Sequence, residues 1–166
     1  SKRVVLIGHS LGESSALACA EALTLESALR LAAGRGAAVD ALPSRDRGAM
    51  LAVGRSRAAV EAVLPSTCVV AVVNSPEAVV VAGDPASLES LALNGAPKRR
   101  LDVAAAFHSP AIESALPAIR EAAAALEVGA GGETRVISTL TGATAARVAD
   151  PDRWVEHARR PCEFEK

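Results

Sequence analysis

Hydrophobic and polar positions change period several times along this chain, and each change marks an element. Residues 3–8 (RVVLIG) form a short continuous apolar run, the pattern of a strand buried on both faces. The run passes through HSLGE into an Ala-rich stretch with apolar positions at Leu17, Ala20 and Leu23, a helical spacing. Thr24 stands where an N-cap belongs, with Glu26 in the first turn of a second helix. Gly34-Arg35-Gly36 is expected to end that helix, glycine being a common stop. The pattern then shortens. AMLAVG (49–54) reads as a strand and SRAAVEAVL (56–64) as a helix. CVVAVVN (68–74) and AVVVAG (78–83) read as two strands joined by a Ser75-Pro76-Glu77 turn. PASLESLAL (85–93) is a helix with Pro85 in its first turn, and RRLDVA (99–104) a last strand. This β-α-β-β-α-β order is the ferredoxin-like one. Ser109-Pro110 opens a long helix through about Leu126, which Gly129, Gly131 and Gly132 close. RVISTLTG (135–142) reads as one more strand. A turn at Asp150-Pro151 follows, then an amphipathic tail with Trp154 and Phe164.

Composition narrows the class. The 166 residues suffice for one domain with a sizeable core. Half are hydrophobic, largely Ala and Val, aromatics are 2%, and mean hydropathy is +0.25, the profile of a globular chain. A net charge of -1 makes no electrostatic case for nucleic acid or an anionic membrane. No apolar run reaches membrane-span length, and nothing at the N-terminus reads as a signal peptide. Cys19, Cys68 and Cys162 are odd in number and widely spaced, which points to free thiols in a reducing cytoplasm and to no metal site.

The chemical signal is Gly8-His9-Ser10-Leu11-Gly12. It fits the G-x-S-x-G nucleophile elbow, with a strand before it and a helix after. The turn is tight, so a side chain at Gly8 or Gly12 is expected to clash with backbone. Ser10 is lifted above a helix N-terminus, and the Leu11 N–H is aimed where an oxyanion would form. The other reading is a tight turn with a bystander serine. A serine hydroxyl needs a base within reach. The chain has three histidines. His9 should project away from Ser10, and His157 lies in the charged tail. His108, in a loop beside Ser109-Pro110, is the best candidate base, its alternative being an ordinary helix-capping histidine.

GHSLGE, the Ala-rich helix and the Gly-Arg-Gly segment resemble the malonyl-CoA:acyl carrier protein transacylase family, which includes polyketide synthase acyltransferase domains. The resemblance continues through RGAM (47–50), VVNSPEAVVVAGD (72–84), AFHSPAIE (106–113), STLTG (138–142) and WVEHARRPCEF (154–164), and so spans nearly the whole chain. It implies an α/β fold: an α/β-hydrolase-like parallel-sheet large sub-domain, incomplete here, with an inserted ferredoxin-like small sub-domain. The boundaries would be 1–46, 47–105 and 106–166. It implies Ser10 as acylated nucleophile, His108 as general base and then acid, and Leu11 as an oxyanion donor. Arg35 would pair with the free carboxylate of a malonyl-type group, since a guanidinium grips a carboxylate by two parallel hydrogen bonds. Its other reading is a cation at a helix C-terminus. His9 and Phe107 would shape the acyl pocket. Asn74 would lie near it, although turn formation before Pro76 explains it as well.

The same resemblance bears on substrate. Leu11 and the quartet Ala105-Ala106-Phe107-His108 lean towards malonyl, because Phe107 would fill the space an α-methyl group needs. That difference is worth about 1–3 kcal/mol. No cofactor is implied as permanently bound. Malonyl-CoA would be the substrate. The partners would be acyl-CoA, an acyl carrier protein with its phosphopantetheine arm, and ketosynthase and other domains of a polyketide synthase. The family has a Gly-Gln-Gly segment before the elbow, which completes the oxyanion hole, and a segment past the last motif that orients the histidine. This chain is therefore expected to be a fragment, poorly active alone. Lys98-Arg99-Arg100 reads as a solvated strand entry or a surface for an acidic carrier protein, and Trp154 as a core anchor. Alternatives are a stand-alone fatty-acid malonyl transacylase, an α/β-hydrolase-type esterase or thioesterase with Asp84 or Asp102 as its acid, or an inactive structural fragment of a synthase.

Overall fold

The structure, a computed structural model, describes residues 4–93 and 95–166. The first apolar run forms β1 (Val5–Ile7); Arg3, the start of the predicted strand, lies outside the described residues. β1 pairs in parallel with residues 135–137 alone, so Val5 and Ile7 are 48% and 54% exposed rather than buried on both faces. α1 (Gly12–Cys19) follows at once.

α2 (Leu25–Asp40) starts as expected: the Thr24 side chain accepts the Ser27 N–H at 3.1 Å. It does not stop at Gly34-Arg35-Gly36 but runs through them. A Cβ at Gly34 would fall on the Ala122 methyl, so this glycine permits close packing against a later helix. Arg35 is thereby a mid-helix residue on the buried face, which removes its reading as a helix-terminal cation.

The middle of the chain gives β2 (Ala49–Val53), α3 (Arg57–Glu61), β3 (Cys68–Ser75), β4 (Ala78–Gly83), α4 (Pro85–Glu89) and β5 (Lys98–Arg100). The element order is the expected one. Both helices are shorter than predicted, and β5 is a short, solvated edge. The strands lie in the order β5-β2-β4-β3, antiparallel throughout. Strand alternation sends Leu51, Val53, Val70, Val79 and Val81 to one face, against Val60 and Leu88 of the helices. Met50, Ala71, Val72, Val80 and Ala82 line the other face with Ala106 and Cys162. Two covered faces explain why β3 and β4 read as unbroken apolar runs.

The expected long helix from Ser109 is broken in two: a 3-10 segment over Pro110–Ala115, then α5 (Leu116–Ala123). Pro117 has no N–H for a helix interior but suits the first turn of a new helix. The strand expected over 135–142 is β6 (Arg135–Ile137) only, because the Thr141 and Gly142 amides turn back onto the Ser138 carbonyl. The tail is more than an amphipathic helix. α6 (Pro151–Arg159) is followed by β7 (Cys162–Glu163), which adds a fifth strand, parallel to β3, at Val72 and Val73. Trp154 is fully buried, its indole N–H donating to the Val148 carbonyl at 2.8 Å, and so anchors the core as expected. The whole is a mixed α/β architecture.

Candidate active site

The elbow between β1 and α1 has the strain its sequence implies. Ser10 adopts φ of +50°, a left-handed conformation that costs a non-glycine residue about 1–3 kcal/mol. A Cβ at Gly8 would fall on the Gly12 carbonyl, so only glycine closes this turn. Gly12 differs from expectation: a Cβ there would meet nothing within 4 Å. Gly8→Ala should therefore abolish transfer by displacing Ser10, whereas Gly12→Ala should retain most of it; parallel initial rates of the two variants test this. Leu11 is the N-cap of α1, and among the described residues no acceptor takes its N–H.

His108, 98 residues further on, meets Ser10. The Ser10 Oγ lies 2.6 Å from His108 Nε2. His108 also has a positive φ, +57°, and its backbone N–H donates to the Ala158 carbonyl at 3.2 Å. Its Nδ1–H donates to the Arg160 carbonyl at 2.9 Å. That bond sets the tautomer: Nε2 carries the lone pair and accepts the serine hydroxyl. The group that orients the histidine thus lies inside this chain, at the end of α6, and not beyond it as expected. Among the described residues no carboxylate plays the part. Asp84 caps α4 by accepting the Ser87 N–H at 2.8 Å, and Asp102 is exposed on the far side of β5 in sequence. Burial first, and then the nearby positive charge of Arg35, push His108 down to about 3, so it stands neutral and ready to take a proton.

Arg35 is buried, and burial lowers its guanidinium to about 10. Its Nη1 lies 3.2 Å from Nδ1 of His157. His157, placed by the sequence in a charged tail, is in fact buried on α6 with its ring centroid 6.3 Å from that of His108. The reason is the amphipathic helix itself: Arg153, Trp154, His157 and Ala158 form its inward face. His157 Nε2 lies 3.3 Å from the Glu13 carboxylate, which also binds Arg153 and accepts from the Thr139 N–H at 2.8 Å and from the Ser138 and Thr139 hydroxyls at 3.2 Å each. Burial pushes the Glu13 carboxyl up. The hydrogen bond from His157, the Arg153 charge and the Thr139 amide outweigh it and bring the group to about 2. Glu13, Arg153 and His157 were not singled out as site residues from the sequence. The available signals were Glu13 closing the GHSLGE motif and the i,i+4 spacing of Arg153 and His157.

The remaining expected residues flank this centre. His9 Nε2 bonds the Asn74 side-chain oxygen at 2.9 Å, and its ring lies 5.1 Å from that of Phe164. Asn74 is thus a partner of the elbow and not only a turn former. Phe107 is half-buried and packs against two of the core clusters. The three cysteines are free thiols; Cys162 is buried, and burial raises it above the ordinary thiol range. Chemically, the arrangement is a serine hydroxyl in contact with a carbonyl-oriented neutral histidine, beside a buried arginine whose partner at 3.2 Å is a histidine ring nitrogen.

The chain is similar to known proteins over nearly its whole length. The acyl transferase domain model matches residues 2–166. The chain is 40% identical over 170 residues to polyketide synthase GfsB of Streptomyces halstedii, covering 96% of this chain and 3% of that protein. It is 34% identical over 174 residues to hispidin synthase of Neonothopanus nambi, covering 96% of this chain and 10% of that one. Among solved structures it is similar to the acyltransferase domain from the second module of the salinomycin polyketide synthase (TM-score 0.86, 39% identity, 98% of this chain and 39% of that chain). It is also similar to MCAT from Mycobacterium tuberculosis (TM-score 0.87, 31% identity, 99% of this chain and 56% of that chain).

Proposed function

This chain belongs to the acyl transferase domain family, and from that premise we propose that it moves a malonyl-type group from coenzyme A to the phosphopantetheine thiol of an acyl carrier protein, in polyketide biosynthesis. The observation that carries the proposal is the 2.6 Å contact between Ser10 Oγ and His108 Nε2 beside a buried Arg35. Ser10 attacks the thioester carbon as His108 Nε2 takes its proton, and the Leu11 N–H is one donor to the resulting oxyanion. The carbon–sulfur bond breaks, and His108 returns the proton to the departing coenzyme A sulfur. The carrier thiol then attacks the seryl ester, giving its proton to His108, which passes it to Ser10 as the ester bond breaks. Arg35 holds the free carboxylate, and Phe107 with His9 and Asn74 bounds the acyl group. No bound cofactor enters these steps.

The sub-domain reading belongs to the same proposal. Over their described residues, 1–46 and 106–166 form an α/β-hydrolase-like part, and 47–105 a ferredoxin-like insertion. The parallel pairing of β1 with β6 and the β5-β2-β4-β3 order support it, with β7 as an extra strand from the last segment. The lack of a carboxylate on His108 among the described residues favours transfer over the esterase reading. Among the described residues no helix is long and apolar enough to cross a membrane.

Incubating the full-length protein that carries this chain with malonyl-CoA should place a malonyl ester on Ser10, located by peptide mass spectrometry. An unmodified Ser10, or an adduct that persists in Ser10→Ala, would overturn the scheme. Arg35→Ala should lower kcat/KM for malonyl-CoA by at least tenfold while leaving acetyl-CoA turnover within about threefold, because the lost bond is to a charged group.

A further inference from the structure

We propose that His157 is the positioning residue for Arg35: a neutral imidazole that fixes the direction of the guanidinium without supplying any charge of its own. The proposal rests on the reading of Arg35 as the group that receives the donor's carboxylate. A guanidinium on a flexible stem must be held if it is to present two parallel N–H bonds to a ligand. The usual holder of an arginine is a carboxylate. Here that would be self-defeating, because it would occupy the fork and cancel the charge that the substrate's own carboxylate is meant to meet. Arg35 Nη1 instead lies 3.2 Å from a ring nitrogen, His157 Nδ1.

The tautomer that makes this possible is set from the other side. His157 Nε2 faces the Glu13 carboxylate at 3.3 Å and must carry its proton there, which leaves Nδ1 as a lone-pair acceptor for Arg35. Glu13 in turn cannot turn away, because the Thr139 N–H, two hydroxyls and Arg153 hold both of its oxygens. The His157 ring is packed against Trp154, with centroids 5.3 Å apart. Every member is buried. The negative charge of Glu13 is met by Arg153, so Arg35 keeps its own charge uncompensated one residue further along. The relay also ties the clamp to the nucleophile, since Glu13 is three residues after Ser10 on the same elbow. Burial, aided by the neighbouring Arg35 and Arg153, outweighs the hydrogen bond and charge of Glu13 and lowers His157, so no second proton sets an N–H against Arg35.

The test uses the full-length protein and two donors, malonyl-CoA and acetyl-CoA, with Arg35→Ala as reference. His157→Leu should raise KM for malonyl-CoA by about tenfold or more, with acetyl-CoA turnover within about threefold; the acetyl rate shows that the variant is folded. His157→Gln should restore most of the malonyl preference, because its amide can donate to Glu13 and accept from Arg35. Adding His157→Leu to Arg35→Ala should cost little more, the two acting on one contact. Equal loss on both donors, no rescue by Gln, or additive effects would overturn the role of His157 while leaving Arg35 as the clamp. If Arg35→Ala itself fails to separate the donors, the underlying reading falls, and this proposal with it.

Discussion

Ser10→Ala should reduce transfer by about 10⁴-fold or more and abolish the acyl adduct, and His108→Ala should cost nearly as much. The geometry gives the reason. Nε2 of His108 is in contact with the Ser10 hydroxyl, at 2.6 Å, and its other nitrogen is committed to the Arg160 carbonyl at 2.9 Å. Removing either member leaves nothing for the other to act on, so Ser10→Ala/His108→Ala should be no slower than Ser10→Ala alone. A further tenfold loss in the double variant would mean that the two residues act in separate steps. The pH profile offers a second reading of the same pair. A histidine lowered to about 3 by burial and by Arg35 is already in its base form at neutral pH. The acidic limb of kcat/KM should then lie well below the ordinary histidine range near 6.5. A limb at 6.5 would mean that His108 titrates as an exposed imidazole. Single-turnover acylation across a pH series, with the protein's integrity checked at each point, measures it.

How much of this was legible beforehand follows from which signals are local. The elbow was readable because strand, G-x-S-x-G and helix are contiguous, and the β-α-β-β-α-β order because each short element carries its own period and turn residues. The segment at Gly34-Arg35-Gly36 misled, since a glycine that ends a helix and one that lets two helices touch look alike until Ala122 is known to lie opposite. β1 reads as a strand buried on both sides because its apolar run says nothing of how many neighbours it has. The split at Pro117 was written in the sequence but outweighed by helical periodicity. Among candidate site residues, Ser10, His108 and Arg35 are named by the sequence, and the structure brings Ser10 and His108 into contact with Arg35 buried nearby. The buried set that supports them is not named by it, because Glu13, Arg153 and His157 are 140 and more positions apart between α1 and α6 and look like a solvated charge pattern when read one at a time.

Glu13→Gln should destabilise the fold by about 3–5 kcal/mol, a large part of the 5–15 kcal/mol typical of a domain. Arg153 is buried beside it, and its Nη1 already has no hydrogen-bond partner among the described residues. Without the carboxylate its charge would be left uncompensated in the core. The amide oxygen can still accept one bond from Thr139 or His157, so the loss is one of charge more than of shape. Two measurements separate these causes. Glu13→Gln/Arg153→Met, which removes both charges, should be more stable than Glu13→Gln alone, as equilibrium urea unfolding would record; a double variant that is less stable would show that packing, not the ion pair, dominates. The pH dependence supplies the other. The carboxyl stands at about 2 in the folded protein against an ordinary value of 4.5, so its stabilisation is complete above the unfolded value and fades as pH falls through 4.5 towards 2. His108 and His157, lowered by burial, add acid lability that begins higher, as pH drops below about 6.5. Glu13→Gln should therefore flatten the acid transition below 4.5, where His108 still contributes down to about 3, and keep the portion above it. Unchanged steepness below 4.5 would mean that Glu13 does not carry a depressed carboxylate at the centre of this network.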